Sequence, residues 1–380
     1  MATAQNWSEL PVDLLDQIAK PLILYADYIR LRAVCVSWQS ALPKIPNHLP
    51  RQFPLLMIPN EKESDTHRDF FNLAENKYYR FDFPFEVHNK VLCGSSHGWL
   101  VTFDPNTLSI SLYNPFTKAL IKLPSFPAFD YEEIEYLNKV VLSSSPSSSD
   151  FVAIAVIKYS RNMRFCRCRD ESWAILREPN GVPLCFFADI IFYKQQIVAV
   201  RFDGEVVIME VIDNNGNSIP KIKINQILVP PYSITFDDTI HLVESDDELF
   251  IVSRLVGFTH TDNYFNYHCI ATGFSVYKLD LSKNSKGVVN AEYSEVKSLG
   301  DRMLILDVGP SSYFSTHDFP GCRRNCIYFT DDLWTGHWEG LACESCVALF
   351  DMGDKRIKPL PCYPQELFSP PSVWVTPSPI

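Results

Sequence analysis

The chain has 380 residues, 46% of them hydrophobic, and a formal net charge of −11. That length supplies a sizeable core and permits two or three domains or one long repeat-built domain. The acidic balance argues against a duplex-DNA binder, whose affinity rests on neutralising phosphates. The acidic residues fall in short clusters such as 61–65, 132–135 and 246–248, read as solvated turns. No apolar run reaches the ~20 residues of a membrane span, and Met1–Gln5 carries neither the charge nor the apolar stretch of a secretory signal. An odd count of eleven unevenly spaced cysteines then reads as reduced thiols in a nuclear or cytoplasmic protein.

The first pattern spans residues 7–41. Leu14, Leu15, Ile18 and Leu22 fall on one helical stripe, and Leu31, Val34, Cys35 and Trp38 on a second, at i, i+3, i+4 and i+7. Asp27 stands where the second helix needs an N-cap, and Pro21 should end or kink the first. A unit this small buries little apolar surface by itself, so docking on a partner is expected. Leu10-Pro11, Leu14-Leu15, Ile18, Leu31-Arg32, Val34-Cys35 and Trp38 resemble an F-box. Ala19 replaces the larger apolar residue usual there, Pro21 replaces a basic one, and the break before Asp27 is longer than the common pattern. The resemblance implies a helical module over 1–48, of three short helices. It also implies that Leu10, Pro11, Leu14, Leu15, Ile18, Leu31, Val34, Cys35 and Trp38 form the set that binds a Skp-type adaptor and, through it, a cullin.

Pro43, Pro46, Pro50 and Pro54 end the helical texture. Short runs follow, most of them rich in Val, Ile, Phe and Tyr and bounded by Gly, Pro, Asn, Asp or Ser, roughly two dozen in all, with examples at 54–58, 78–82, 98–103, 108–113, 151–157, 164–168, 197–201, 205–210, 248–254, 274–279, 303–308, 326–330, 346–351 and 373–375. No amphipathic helix separates them, which excludes a parallel α/β sheet. The runs recur as an apolar strand, a turn and a second strand, with a period of ~40–50 residues, as in the blades of a propeller. The expected fold is therefore mainly β, an N-terminal all-α module followed by a β-propeller over 49–380. The strand count suggests about six blades, five or seven being compatible. The alternative is a sandwich of fewer, longer strands. A propeller must close its ring, and 55–58 with 372–376 are expected to share one blade. Loops are expected at 61–69, 143–150, 214–218 and 282–290.

Cys93-Gly94-Ser95-Ser96-His97-Gly98-Trp99-Leu100, Tyr113-Asn114-Pro115-Phe116-Thr117, Asn325 to Asp332 and Trp374-Val375 resemble a plant family that joins an F-box to a kelch-like β domain. The resemblance covers nearly the whole chain. It implies the substrate-recognition subunit of a Skp–cullin–F-box ubiquitin ligase, non-catalytic and without cofactor, with a protein substrate held by the propeller. A propeller that binds a sugar or metabolite, and an F-box protein acting outside a ligase, are the alternatives. An enzyme would need a metal or a titratable cluster in the central channel.

Chemistry-bearing residues are sparse. Cys322, Cys326, Cys343 and Cys346 have a spacing that could hold zinc, but Cys326 opens an apolar run and reads as a packed thiol, so no metal is expected. Cys166 and Cys168 read as two core thiols. His97 is expected to close a turn while Trp99 packs between blades. Trp334, His337 and Trp338 form a polar, aromatic loop, and Arg167 and Arg169 sit in the only basic cluster; these five are the candidate substrate surface.

Overall fold

A computed structural model of the chain describes residues 6–44, 46–58, 66–84, 87, 90–126, 137–148, 150–157, 163–177, 181, 184, 186–212, 221–230, 239–245, 248–260, 267–283, 289–330, 347–360 and 372–378. A 3-10 turn over Trp7–Glu9, capped by the Asn6 side chain, leads into α1 (Val12–Ala19). That helix stops one residue before the Lys20-Pro21 pair, because proline lacks the N–H and its ring clashes with the preceding turn. Helix α2 spans Tyr25–Arg32 and α3 spans Val36–Ala41. Asp27, expected as N-cap, is instead the third residue of α2 and pairs with Arg30 at 2.7 Å on the surface. The cap comes from outside the helix: Gln52 Oε1 accepts from Tyr25 N at 2.8 Å, while Gln52 Nε2 donates to Ile23 O at 2.9 Å.

The second stripe is not one helix. Helix α2 closes at Arg32, and Cys35 resets the backbone to extended geometry (φ −160°) and accepts from Trp38 N through Sγ, opening α3. The two short helices can then cross, burying Leu15, Ala19, Tyr25, Tyr28, Trp38 and Leu42 in a small core. Both polar tips in that core are satisfied. Tyr28 Oη donates to Pro43 O (2.8 Å), and Trp38 Nε1 to Trp7 O (2.9 Å).

The rest is β. One antiparallel sheet holds β25 (Trp374–Val375), β1 (Leu55–Met57), β2 (His67–Asn72) and β3 (Lys77–Asp82), in that order. Three four-stranded meanders follow: β4 (Val91–Ser96), β5 (Trp99–Asp104), β6 (Ser109–Tyr113) and β7 (Leu120–Ser125); then β8 (Leu137–Leu142), β9 (Val152–Ile157), β10 (Met163–Arg167) and β11 (Ala174–Leu176); then β12 (Phe187–Tyr193), β13 (Gln196–Arg201), β14 (Val206–Ile212) and β15 (Lys221–Leu228). A nine-stranded sheet contains a further meander, β16 (Thr239–Ser245), β17 (Glu248–His260), β18 (Tyr267–Lys283) and β19 (Val289–Glu295). Its second arm runs in the order β21 (Ser311–Ser315), β20 (Arg302–Leu306), β22 (Cys326–Phe329), β23 (Ala348–Asp351) and β24 (Arg356–Pro359). Among the described residues, the strand pairing between the arms consists of two parallel residue pairs, Val243 with Ser311 and Glu244 with Ser312. Residues 67–69, expected as loop, belong to β2, and the hairpin expected at 282–290 is shortened by β18 and β19; 214–218 lies outside the described residues.

Among the described residues, an apolar cluster fills each gap between successive sheets, including the gap between the last arm and the first sheet. The sheets therefore form a closed ring, a β-propeller. The closure is the one expected from sequence: β1 pairs β25 with Leu55 opposite Val375 and Leu56 opposite Trp374, and Met57 N donates to Val373 O at 2.8 Å.

Strand parity fixes the faces of the ring. A meander of four strands returns the chain to the face on which it began, so successive innermost strands (β4, β8, β12, β16) all start on one face, here the leading face. They end on the other, the trailing face. Strand β1 is antiparallel to the innermost β25, so it starts at the trailing face, and the helical module is delivered there. Arg51 lies over the Phe314 ring (4.4 Å), and Phe53 packs on Phe314 and Phe319, seating the module against the ring.

Trp374 is 3% exposed in the closing cluster. Trp374→Ala is expected to cost about 3–5 kcal/mol, and deletion of 372–380 more than that, both read as lowered urea midpoints. A deletion variant that unfolds with the parent would show that β25 does not close the ring.

Candidate functional site

The adaptor set divides into two groups. Leu15 and Trp38 are core, and Leu10, Leu31 and Cys35 are half-buried against it. Pro11, Leu14, Ile18 and Val34 face solvent, with Leu14 46% and Val34 60% exposed. Leu14 and Ile18, four residues apart, form one ridge beside the buried Leu15. Trp7, Val12, Ile23 and Val36 are also exposed and were not singled out from sequence. Seven of the thirteen large exposed hydrophobics among the described residues lie between Trp7 and Val36. A folded module of this size leaves that much apolar side chain in water where a partner covers it. An alternating apolar pattern cannot tell which member of Leu14-Leu15 faces in, because that depends on where α3 crosses.

The second concentration of chemistry lies on the ring axis. Lys139 of β8 forms an ion pair with Asp189 of β12, each side chain 3% exposed. The other oxygen of Asp189 accepts from Leu242 N of β16 at 2.8 Å, and Ile190 N donates to the first at 2.6 Å. One carboxylate thus ties three innermost strands together. His97 is in the turn after β4 (φ 51°), as expected, with Nε2 3.1 Å from Leu142 O at the end of β8. Burial holds its pKa below the ordinary histidine value. Trp99 is buried in the cluster between the second and third sheets.

Ser95 Oγ of β4 donates to Trp374 O of β25 at 2.6 Å. Beside it the backbones nearly touch: a Cβ on Gly94, whose φ is +108°, would stand 2.8 Å from Gly309 N. Asp307, between β20 and β21, is buried here. Burial pushes its carboxyl up to about 7, against the opposing pull of the Trp374, Gly309 and Val308 amides and the charge of Lys139. Ser95, Ser96, His97, Ser312, Thr376 and Asp307, with walls from Pro54, Ile305, Pro310 and Trp374, enclose a cavity of about 80 Å³.

The remaining candidates are dispersed. Arg167, at the end of β10, donates from its backbone to Asp170 Oδ2 (2.9 Å) and lies over the Phe165 ring (5.2 Å); Arg169 is exposed in the following turn. Both belong to the trailing side of the third sheet. Trp334, His337, Trp338, Cys343 and Cys346 lie outside the described residues. Cys326 packs in the closing cluster and burial pushes its thiol up to about 11, that of Cys322 to about 12. Cys166 is core, while Cys168 lies just past the strand and only half-buried. On the leading face, Val91 at the start of β4, Phe186 before β12, Ile227 and Val229 at the end of β15, and Leu255 on β17 are exposed. Strands β17 and β18 extend past Arg254, where β16 begins, so their hairpin projects from that face.

Fold and site together define a β-propeller carrying a small helical module with exposed hydrophobics on its trailing face. Residues 70–355 match the family described as "KIB1-4 beta-propeller", and the chain belongs to that family. Two Arabidopsis thaliana relatives bear F-box names. At1g65770 is 27% identical over 86% of this chain and 89% of its own, and F-box protein SKIP23 is 24% identical over 98% and 96%. Among solved structures, the β-propeller domain of Cps50 (Swd1) from Myceliophteria thermophila aligns with 11% identity over 64% of this chain and 69% of its own, at a TM-score of 0.34.

The buried acid gives a pH signature. The folded pKa of Asp307, about 7, lies above the unfolded value near 3.8. The folded state therefore holds the proton more tightly, and stability falls as pH rises between those values. Asp307→Asn is expected to melt above the parent at pH 8, with the gap closing toward pH 4. A gap independent of pH would show that this carboxyl is not held protonated by burial.

Proposed function

We propose that the chain is the substrate-recognition subunit of a Skp–cullin–F-box ubiquitin ligase. In this reading residues 1–48 dock on a Skp-type adaptor, and residues 49–380 form a propeller of six blades, the nine-stranded sheet being divided at its two-pair junction. The observation that carries it is the concentration of exposed hydrophobics on the module, supported by the F-box names of the relatives. Leu14, Ile18, Val34 and Pro11 touch the adaptor, with Trp7, Val12, Ile23 and Val36 extending the surface. Leu15 and Trp38 act from within, by holding the helices in place. The mechanism is proximity: a receptor that holds a substrate lysine near a charged conjugating enzyme raises its effective concentration, and the bond-making groups belong to other subunits.

The substrate is assigned to the leading face. The module occupies the trailing side, and the exposed Val91, Phe186, Ile227, Val229 and Leu255 with the projecting hairpin lie opposite. Reduced thiols and an adaptor of this kind fit a nuclear or cytoplasmic setting.

The test is binding of the purified full chain to a Skp-type adaptor by calorimetry. Leu14→Glu and Val34→Glu place a charge on the docking surface without touching the core. Each is expected to weaken binding about 30-fold or more, with unchanged melting. Leu15→Ala is expected to lower stability by about 2–5 kcal/mol and to lose binding only in proportion to unfolding. A folded parent that does not bind the adaptor would remove the ligase reading.

A further inference from the structure

We propose that the axial cavity beside the closing strand binds a small polyhydroxylated molecule, of monosaccharide or cyclitol size, with Asp307 as its principal acceptor. The inference stands on the cavity itself and does not depend on the ligase reading. Asp307 and Trp374, both lining the cavity and both 3% exposed, each carry a buried polar atom without a hydrogen-bond partner among the described residues, Oδ2 and Nε1. A buried donor or acceptor left unmade costs about 1–3 kcal/mol, so an unpaired acceptor and an unpaired donor on two residues lining one cavity mark a place where a ligand gains what the empty protein forgoes.

The lining selects the ligand class. Hydroxyls of Ser95, Ser96, Ser312 and Thr376 both donate and accept, as sugar hydroxyls do in return. Ile305, Pro54, Pro310 and the Trp374 ring offer apolar wall for C–H faces. Among the described residues, no lysine or arginine lines the space, which disfavours a phosphate or carboxylate. A cation is disfavoured too, since the Lys139 charge already acts on Asp307. About 80 Å³ is several times the ~10–15 Å³ that one water needs. The cavity adjoins Trp374 on β25 and Pro54 just before β1, the two strands that close the ring, so an occupant would brace that closure beside the helical module.

The full chain is titrated with myo-inositol and, separately, D-glucose, followed by saturation-transfer NMR and thermal melting. At about 50 mM a Kd of about 1 mM gives near saturation, so at least one probe is expected to receive saturation and raise the melting temperature. Asp307→Asn and the cavity-filling Ser312→Leu are each expected to weaken that effect at least tenfold while remaining folded. Adaptor binding is measured on the same variants and should stay intact, which separates this proposal from the ligase reading. No saturation transfer or melting shift from either probe overturns it, as does a crystal soaked at the same concentration that shows an ordered water cluster only.

Discussion

Ring closure is the constraint on which everything else depends. Most of the propeller's antiparallel pairs form between neighbours in the chain, at modest entropic cost, but β25 must find β1 across more than three hundred residues. Two strands of two and three residues are too short to hold by backbone bonds alone. Side chains complete the join. Trp374, Phe53, Leu56 and Phe314 fill the last gap, Ser95 grips the Trp374 carbonyl, and Gly94 and Gly309 let two innermost segments approach as side-chain-bearing residues could not. The Lys139–Asp189 pair does the same on the far side of the axis. A buried pair of this kind seldom adds net stability over apolar residues, but removing one partner strands a charge, so it enforces one arrangement of three strands.

Closure also decides where function can sit. Because the ring is sealed by a strand from each chain end, the residues just before β1 are pinned to the trailing rim. The helical module inherits that position through Gln52, which caps α2, and through Arg51 and Phe53, which pack on the ring. No long linker separates module from propeller, so a partner on the exposed ridge of α1 is held at a set orientation to the opposite face. In the proposed receptor role, that rigidity would limit which substrate lysines come within reach.

Much of the fold was legible in the sequence, and most of the strands that were not stand at the two edges of the blades, for different physical reasons. The middle strands read as apolar, β-branched runs because both faces pack against neighbouring blades, as in 206–212 and 248–254, whereas outermost strands such as β7, β15, β19 and β24 mix charged residues with apolar ones and carry a weaker signal. Five of the innermost strands escaped: β4, β8, β12, β16 and β21. Each is broken by polar or small residues, Gly94-Ser95-Ser96, Lys139, Asp189, His241 and Ser311-Ser312, which stand on or near the axis rather than in an apolar gap. Asp189 breaks the apolar run of β12 and is the residue that joins three strands. In the helical module the spacing picked the right residues but merged α2 with α3. The capping role of Cys35 carries no strong sequence signal, and the N-cap group of α2 comes from Gln52, far along the chain.

That failure is itself informative. A core built only for stability would have filled the axis with valine and isoleucine, as the gaps between blades are filled. Instead the chain keeps a carboxyl whose burial raises it to about 7, a histidine at positive φ, and hydroxyls from two innermost strands and the residue just past a third around one small space. Each departs from the residue its local pattern favours, and each weakens the ring relative to an apolar alternative. Departures scattered over a surface would mean little. Departures that converge on one cavity, at the seam where the ring must hold, are what a site under functional demand leaves in a sequence otherwise consistent with its fold.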